Sequence, residues 1–220
     1  MTTRPPRRSP GRPAARRTVP RDVLLDAALA CYVRRGIQAT TLRDIAREAD
    51  VTPAMLHYYF GDAGQLRETV IEDRLMPVFE RIRAPLMTAA GDVPSLLRLF
   101  VDSVFEVVGE HPWLPPMWVR EVVTEGGALR DLLITRLAPS LGQLLAARFQ
   151  QAQAEGALNP ALDPRLLMVS LIGLTMFPVA GAPIWRQVFS ADALTMDDVR
   201  RHALVLLERG LELGDGKTLL

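Results

Sequence analysis

The sequence predicts an all-α protein, and three observations support that prediction. Apolar residues recur at spacings of three and four through most of the chain, as they do on the buried face of a helix. Hydroxyl and carboxyl side chains that can cap a helix precede several of these stretches. No alternation of apolar and polar residues lasts long enough for a strand. Because 49% of the 220 residues are apolar, the chain can bury a sizeable core.

The start of the chain differs in composition from the rest. Residues 1–21 contain seven arginines and no acid, among many prolines and alanines. The remaining 199 residues carry 19 basic and 25 acidic side chains, which is a net charge of −6. We therefore expect residues 1–20 to form a disordered arm whose charge favours phosphate, with a merely solubilising tail as the alternative. Residues 10–13 resemble the core of a minor-groove AT-hook, and whether the arm contacts the minor groove stays open.

The segment that follows predicts two short helices. Apolar residues at helical spacing over 23–32 predict the first, which Gly36 ends. Thr41 followed three residues later by Asp44 predicts a capping box at the start of the second. This second helix runs to about Ala49.

Two further helix starts follow at short intervals. Thr52 predicts the cap of a third helix, with Pro53 at the first helical position, where a missing N–H group costs nothing. This helix ends near residues 60–61. Asp62 with Gln65 predicts the cap of a long fourth helix.

The second and third helices together predict a helix-turn-helix within residues 21–66. Ala46 is small enough for two helices to cross closely. The apolar residues that would anchor the pair are Ile45, Ala49, Val51, Leu56 and Phe60. The residues left on the free side of the third helix are Pro53, Ala54, His57 and Tyr58. We expect this side to enter the major groove of double-stranded DNA, and we expect the helix starts at Thr41 and Thr52 to favour phosphate.

Two motifs in this segment resemble the signature of TetR-type one-component regulators. They are TTLRDIAREA at residues 40–49 and VTPAMLHYYF at residues 51–60, and the resemblance covers about residues 21–70. It implies a three-helix DNA-binding domain over 21–66 and a larger helical domain over 67–215 that binds an effector and dimerises. It also implies a homodimeric repressor that a small-molecule effector releases from a near-palindromic operator.

The resemblance also assigns contacts to individual residues. Its phosphate contacts fall on Thr41, Thr52 and Tyr59, and we place Arg43 on the same surface. Its base-facing positions fall on Pro53, Ala54, Met55, His57 and Tyr58.

Three departures from the family pattern bear on this assignment. Asp50 stands at the turn position usually held by glycine, and it tolerates a left-handed backbone less well. Ala63 stands where a lysine is common, so we expect one phosphate contact to be absent and the arginine arm to offset it. Residues 57–59 read His-Tyr-Tyr rather than the commoner Tyr-His-Tyr, which affects the base contacts.

Beyond the fourth helix, helical patterns fit about 94–110, 116–125, 128–155, 163–178 and 196–213. Prolines at 112, 115 and 116 predict an irregular segment that holds tryptophans as the walls of a pocket. Arg120 follows, and we expect it to orient a polar or anionic group of a largely apolar effector. The predicted effector site comprises Phe100, Trp113, Met117, Trp118, Arg120, Met168 and Phe177. Plain core packing of these side chains is the alternative.

The last two predicted helices have apolar faces, which the resemblance assigns to a dimer interface. Residues 166–185 carry no formal charge and are long enough to span a bilayer. Pro178 and Pro183 interrupt this stretch, so we expect a helix buried between subunits and no membrane contact. A helical membrane-associated or scaffold protein without operator specificity is the alternative function.

Several classes of site lack a sequence signal. Cys31 is the one cysteine, so neither an intrachain disulfide nor a thiolate metal cluster can form, and a cytoplasmic location fits. The histidines at 57, 111 and 202 lie far apart, and no spacing typical of metal ligands occurs. No glycine-rich phosphate loop or nucleophile elbow is present. We therefore expect no enzyme activity, no cofactor and no metal.

Overall fold

The computed structural model describes residues 19–211, with side chains to residue 210, and within this range the chain is all-α with no strand. The predicted arm over 1–20 lies outside the described residues except for its last two. The helices are α1 (Arg21–Arg35), α2 (Leu42–Glu48), α3 (Pro53–Phe60), α4 (Ala63–Val70), α5 (Met76–Thr88), α6 (Val93–Glu110), α7 (Leu114–Trp118), α8 (Arg130–Leu132), α9 (Ala138–Ala154), α10 (Pro164–Ala180), α11 (Ala182–Val188) and α12 (Met196–Leu211). Three wider π-helical segments also occur: π1 (Ile71–Leu75) joins α4 to α5, π2 (Val119–Val123) extends α7, and π3 (Leu133–Leu137) joins α8 to α9.

Helices α1 to α4 form a small unit, which we call the head, and two of its helix starts have the predicted capping boxes. The Thr41 side chain accepts a hydrogen bond from the Asp44 N–H, while the Asp44 carboxylate accepts one from the Thr41 N–H. Asp62 and Gln65 make the same reciprocal pair at the start of α4. Thr52 differs from the prediction because its side chain makes no cap hydrogen bond, although Pro53 does occupy the first turn of α3.

The turn between α2 and α3 contains the residue that departs from the family pattern. Asp50 has a φ of 53°, so it adopts the left-handed conformation that glycine accommodates more readily. The turn brings Ile45 and Leu56 together in a core where both are at most 1% exposed. The head is therefore built as a helix-turn-helix.

The head continues into the larger unit without a break in helical backbone. Helix α4, π1 and α5 follow one another directly from Ala63 to Thr88. Leu66 and Val70 are fully buried in the core of the protein. The predicted domain boundary after residue 66 therefore falls inside a continuous helical run. π1 lies where this run leaves the head. Short π-helical turns inside helices are frequently found at functional sites.

The prediction that prolines make this segment irregular holds for Pro112 and Trp113, which lie in a turn, and is wrong from residue 114 onward. Helix α7 begins at Leu114, and Pro115 and Pro116 occupy its first turn. The first N–H groups of a helix have no acceptor within the helix, so prolines there cost little. Trp118 consequently lies on a helix, at the end of α7.

The uncharged segment forms a bent pair of helices, which agrees with the prediction that no single helix runs through it. Pro178 lies inside α10, close enough to its end that few backbone hydrogen bonds are lost. The chain then turns at Gly181 by 70° into α11, which the sequence did not predict. Along residues 19–211, no single helix has both the length and the apolar character to cross a membrane, and only α10 and α11 taken together meet those two criteria.

Candidate nucleic-acid interface and internal cavity

Helix α3 has one buried face and one exposed face. Leu56 and Phe60 point into the core and are 0% and 7% exposed. Pro53, Ala54 and His57 are exposed on the other face, beside Tyr58, whose side chain is 84% exposed. The Tyr58 side chain therefore presents a large amphipathic surface that no described residue covers.

The aromatic run at the end of α3 is ordered by its own contacts. The Tyr59 ring is half-buried and lies edge-on to Tyr58, with 5.4 Å between ring centroids. The His57 Nδ1 lies 2.7 Å from the Gly61 carbonyl oxygen. Because a carbonyl oxygen can only accept, Nδ1 carries a hydrogen, and in the neutral ring Nε2 is left as an acceptor facing outward.

The two threonines that begin α2 and α3 differ in what their hydroxyl groups do. The Thr41 hydroxyl donates to Asp44 Oδ2 at 2.6 Å, and these contacts hold the pKa of the Asp44 carboxyl near 2. The Thr52 hydroxyl makes no such cap contact and is exposed. Arg43 is also exposed and makes no ion pair with any described residue. Thr52 and Arg43 are therefore better placed than Thr41 to contact a phosphate.

All nine residues that the sequence places on DNA lie on α2, on α3 or at the starts of these helices, and none of them is buried. The seven exposed ones are Thr41, Arg43, Thr52, Pro53, Ala54, His57 and Tyr58. Met55 and Tyr59 are half-buried. The surface thus combines hydroxyls, one arginine, a histidine and an aromatic ring on two adjacent helices.

A partly open cavity of about 160 Å³ lies in the larger unit, between α5, α6, α9 and α10. Its walls are mostly aliphatic and aromatic, with Phe79, Phe100, Trp118, Leu141 and Met176 among them. Thr175 also lines it, but its hydroxyl donates to the Leu171 carbonyl oxygen at 2.8 Å in its own helix. The cavity therefore suits an apolar occupant.

The structure brings three of the seven predicted effector residues to this cavity, and these are Phe100, Trp118 and Met168. The other four lie elsewhere. Met117 is core, 2% exposed, and Trp113 packs beside His111 with 5.4 Å between ring centroids. Phe177 is 70% exposed because it lies on the outer face of α10. Arg120 contacts the head, as described below.

Sequence reasoning missed several cavity residues, among which Arg83 and Gly142 matter most. Arg83 forms an i, i+3 ion pair with Glu80 on α5, and such a pair is typical of an ordinary solvent-exposed helix surface. Gly142 lies inside α9, and a Cβ atom added there would meet nothing within 4 Å. Neither residue carries a sequence signal for a cavity.

Arg120 joins the two units of the protein. Its Nη2 atom donates to the main-chain carbonyl oxygens of Tyr32 at 2.7 Å and Val33 at 3.2 Å, in the last turn of α1. Such a cation complements the partial negative charge at the end of α1. The predicted role of Arg120 in the effector site is therefore replaced by a contact with the head.

Glu121 completes this junction from a buried position. Its carboxylate is only 5% exposed and accepts from Arg120 Nε at 2.9 Å and from the Ile37 N–H at 3.1 Å. Gly36 adjoins it with a φ of 93°, and a Cβ atom there would lie 3.1 Å from Glu121 Oε1. Only a glycine thus combines this backbone with so close an approach. Residues 36–37 of the head are held directly by π2.

The cavity and this junction are adjacent in the chain. Trp118 lines the cavity, and Arg120 follows it by two residues within π2. A second connection starts from π3, whose Leu133 and Leu137 line the cavity. From the same turn, the Arg136 guanidinium pairs with Glu72 in π1. Two sets of contacts therefore start from elements that line the cavity, one leading to the head and the other to π1.

The two long C-terminal helices each keep an apolar face uncovered. On α10, Leu166 and Val169 are 61% and 64% exposed, whereas Leu171 is fully buried. On α12, Leu206 is 46% exposed and Leu207 is 6% exposed. Both helices thus pack inward on one side and present leucine and valine to solvent on another. Exposed apolar surface of this kind marks sites of association.

No group of three or more His, Cys, Asp or Glu side chains that could hold a metal ion occurs in the described range. Cys31 is buried in the head, and burial raises the pKa of its thiol. A buried neutral thiol is a poor nucleophile or ligand.

Two family models match most of the chain. Residues 24–70 match bacterial regulatory proteins of the tetR family, and residues 95–208 match a tetracyclin repressor-like C-terminal domain. The first range is the head as far as the end of α4. The second covers α6 to α12 except for the ends.

Individual proteins show the same similarity. The chain is 38% identical over 163 residues to the HTH-type transcriptional repressor KstR2 of Mycolicibacterium smegmatis, which is 72% of this chain and 75% of that protein. The structure of KstR2 of Mycobacterium tuberculosis, a ketosteroid transcriptional regulator, superposes with a TM-score of 0.64 at 21% identity, covering 91% of this chain and 98% of that one. FadR of Bacillus subtilis, solved with stearoyl-CoA, gives 0.60 at 18% identity, covering 87% and 99%.

Proposed function

This chain belongs to the TetR family of bacterial regulatory proteins and is a DNA-binding transcriptional regulator, and from that premise we propose that it is a homodimeric repressor released from a near-palindromic operator by a small, largely apolar effector. The observation that carries the DNA-binding part is the uncovered face of α3, with Tyr58 84% exposed. The observation that supports effector control is the apolar cavity next to the junction with the head.

The exposed face of α3 is the proposed recognition surface. Tyr58, His57 and Ala54 face the bases in the major groove, and the His57 Nε2 atom supplies an acceptor there. Thr52 and Arg43 contact phosphates at the two helix starts, and Tyr59 orients the ring of Tyr58 beside them. Thr41 supports this surface mainly through its capping box with Asp44.

The uncovered faces of α10 and α12 support the homodimer. Two copies that bury Leu166, Val169 and Leu206 against each other would place two heads in one assembly. A two-fold axis between them makes the operator near-palindromic, with half-sites roughly 34 Å apart or a multiple of that distance.

The apolar cavity supports the proposed effector class, and so does the ligand printed for one similar structure. The walls contribute almost only apolar side chains, which favours an aliphatic or alicyclic body. The FadR neighbour was solved with stearoyl-CoA, whose acyl chain is of the same chemical kind. Binding of an effector that moves Trp118 changes how π2 holds residues 36–37. This change alters the position of α3 relative to α3 of the second subunit.

Two variants test the recognition surface. Replacing Tyr58 with Ala should change the sequence preference on a randomised operator library more than it changes affinity for unrelated DNA. Deleting residues 1–20 should weaken binding to all DNA and lower the dependence of affinity on salt, because fewer phosphates are neutralised. Ile134→Ala, an exposed residue of π3 far from α3 in sequence, is the control. If operator binding survives both changes intact, the assigned surface is wrong.

A footprint on the chain's own upstream region, with and without cell extract, tests the release. Protection that extract removes supports an effector-released repressor. Protection that extract strengthens instead indicates that the effector favours the DNA-bound state, and the release proposal fails.

A further inference from the structure

We propose that the effector carries an anionic group that binds the guanidinium of Arg83 at the open end of the cavity, so that the site takes small apolar acids in preference to neutral molecules of the same shape. This inference rests on the proposed effector role of the cavity and names the chemistry of its ligand.

Within residues 19–211, Arg83 is the one formally charged side chain that lines the cavity. The hydroxyl of Thr175, which also lines it, is fully buried and already donates to two carbonyl oxygens of its own helix. Among the described residues that line the cavity, Arg83 therefore offers an occupant hydrogen-bond donors that are not already used. A neutral apolar molecule would leave the guanidinium unused.

The ion pair of Arg83 with Glu80 leaves the two terminal nitrogens of the guanidinium without a hydrogen bond in the described chain. Its Nε atom donates to both carboxylate oxygens of Glu80, at 2.9 Å and 3.0 Å. Neither terminal Nη atom makes a hydrogen bond within the described chain. Arg81, two residues earlier, differs because both its Nη atoms bond to carboxylates of Glu106 and Glu110. A guanidinium with free terminal nitrogens is suited to carboxylate or phosphate oxygens.

The position of Arg83 sets which end of a ligand it meets. Its side chain is 30% exposed, whereas Phe100 and Leu141 on the cavity wall are 4% and 9% exposed. Because long cationic side chains cover apolar surface with their hydrocarbon part and keep their charge in water, we infer that the cavity opens beside the charged end of Arg83. An amphiphilic ligand would enter with its apolar end first and leave its anion at this opening.

The size of the cavity limits the enclosed part of the ligand. A cavity of about 150 Å³ in another protein holds one benzene molecule, and the present one is about 160 Å³. We therefore expect a compact apolar body of roughly six to eight carbons to be enclosed without rearrangement. The anion can be a carboxylate or a phosphate, since both match the guanidinium.

Calorimetric titration of the full chain with three eight-carbon probes tests the proposal. The probes are octanoate, octyl phosphate and octanol, which share an apolar body and differ only in the polar end. We expect at least one anionic probe to bind about tenfold more tightly than octanol, since a charged hydrogen bond at a partly exposed site gives an effect of that order. Octanoate and octyl phosphate then distinguish a carboxylate effector from a phosphate effector.

Two arginine variants on the same helix assign the preference. Arg83→Gln should bring the affinity for the anionic probes down to that for octanol and leave octanol binding unchanged. Arg81→Gln removes the same charge from a residue outside the cavity and should retain the preference. Equal losses for octanol and octanoate in Arg83→Gln would show that Arg83 acts only by packing, and the proposal would be overturned.

Glu80→Gln gives a second readout that does not remove Arg83. Because Glu80 competes for the same guanidinium, its neutralisation should tighten binding of the anionic probes several-fold. No change in this variant, no preference in the wild type or no binding of any anionic probe overturns the inference. Operator binding by the free protein is measured separately, so failure here leaves the proposed regulator function to stand or fall on its own test.

Discussion

The Arg120 guanidinium donates a 2.7 Å hydrogen bond to the carbonyl oxygen of Tyr32, across 88 residues of sequence. It thereby caps the last turn of α1 from the larger unit, while its neighbour Glu121 accepts from the Ile37 N–H. The two side chains, of which Glu121 is buried and Arg120 is partly exposed, form one link between the wall of the cavity and the head. We expect the strength of this link to set how much of a change at Trp118 reaches α3.

Arg120→Gln should reduce both the stability of the head and its response to an effector. The lost charged hydrogen bonds, discounted for partial exposure, correspond to about 1 kcal/mol in the free energy of unfolding. Urea unfolding and amide exchange at Ile37 measure the two consequences. Arg98→Gln, which removes an exposed pair with Glu208, is the control and should leave exchange at Ile37 unchanged. Unaltered exchange in Arg120→Gln would contradict the assigned link.

Gly142→Leu should fill the cavity and make operator binding insensitive to effectors. A side chain at this position points into space that is open for at least 4 Å. Gly142→Ala alone should raise the free energy of unfolding by up to about 1 kcal/mol, because glycine is a poor residue inside a helix. Gly109→Ala tests the same propensity effect on α6 with no cavity nearby. An effector that still releases the Gly142→Leu variant would show that it binds elsewhere.

Val169→Glu should convert the dimer to a monomer. The residue is 64% exposed on the outer face of α10, so the change has little effect on the fold of one copy. A carboxylate buried without a partner costs several kcal/mol at an interface, which is enough to abolish most dimers. Sedimentation and operator binding are the measurements, with Ile134→Glu as a control at 58% exposure on another surface. A Val169→Glu dimer of normal affinity would move the interface away from α10.

The Asp44 capping box predicts a specific pH dependence. Hydrogen bonds from Thr41 lower the pKa of Asp44 from 3.8 to about 2 in the folded protein. Its contribution to stability is therefore complete above pH 4 and is lost as the pH falls from there towards 2. Asp44→Ala should lower Tm at neutral pH, and the difference from wild type should shrink over that interval. Asp192→Ala, at an exposed aspartate with no resolved contact, should show no such dependence.

The head was predictable because its signals are local. The capping boxes at Thr41 and Asp62 each lie within four consecutive residues, and Asp50 occupies a turn of fixed length. The burial of Leu56 and Phe60 follows from helical periodicity alone. Such features depend on neighbours in the chain, so the sequence carries them without knowledge of the fold.

The errors in the larger unit arise where the outcome depends on distant residues. A proline interrupts a helix or occupies its first turn according to where the helix starts, and α7 starts at Leu114, two residues before the predicted helix. Arg120 was assigned to a cavity because the carbonyl groups it meets are more than 80 residues away. Arg83 was missed because its pair with Glu80 resembles any solvated helix surface.

The unbroken backbone from Ala63 to Thr88 bears on the engineering of hybrid regulators. Joining the head to a foreign ligand-binding domain at residue 66 would cut the helical run of α4, π1 and α5. It would also leave out π2, which holds residues 36–37. A functional hybrid has to keep the helical run through π1 and also π2. The part to be exchanged is therefore encoded by two separate segments of the gene.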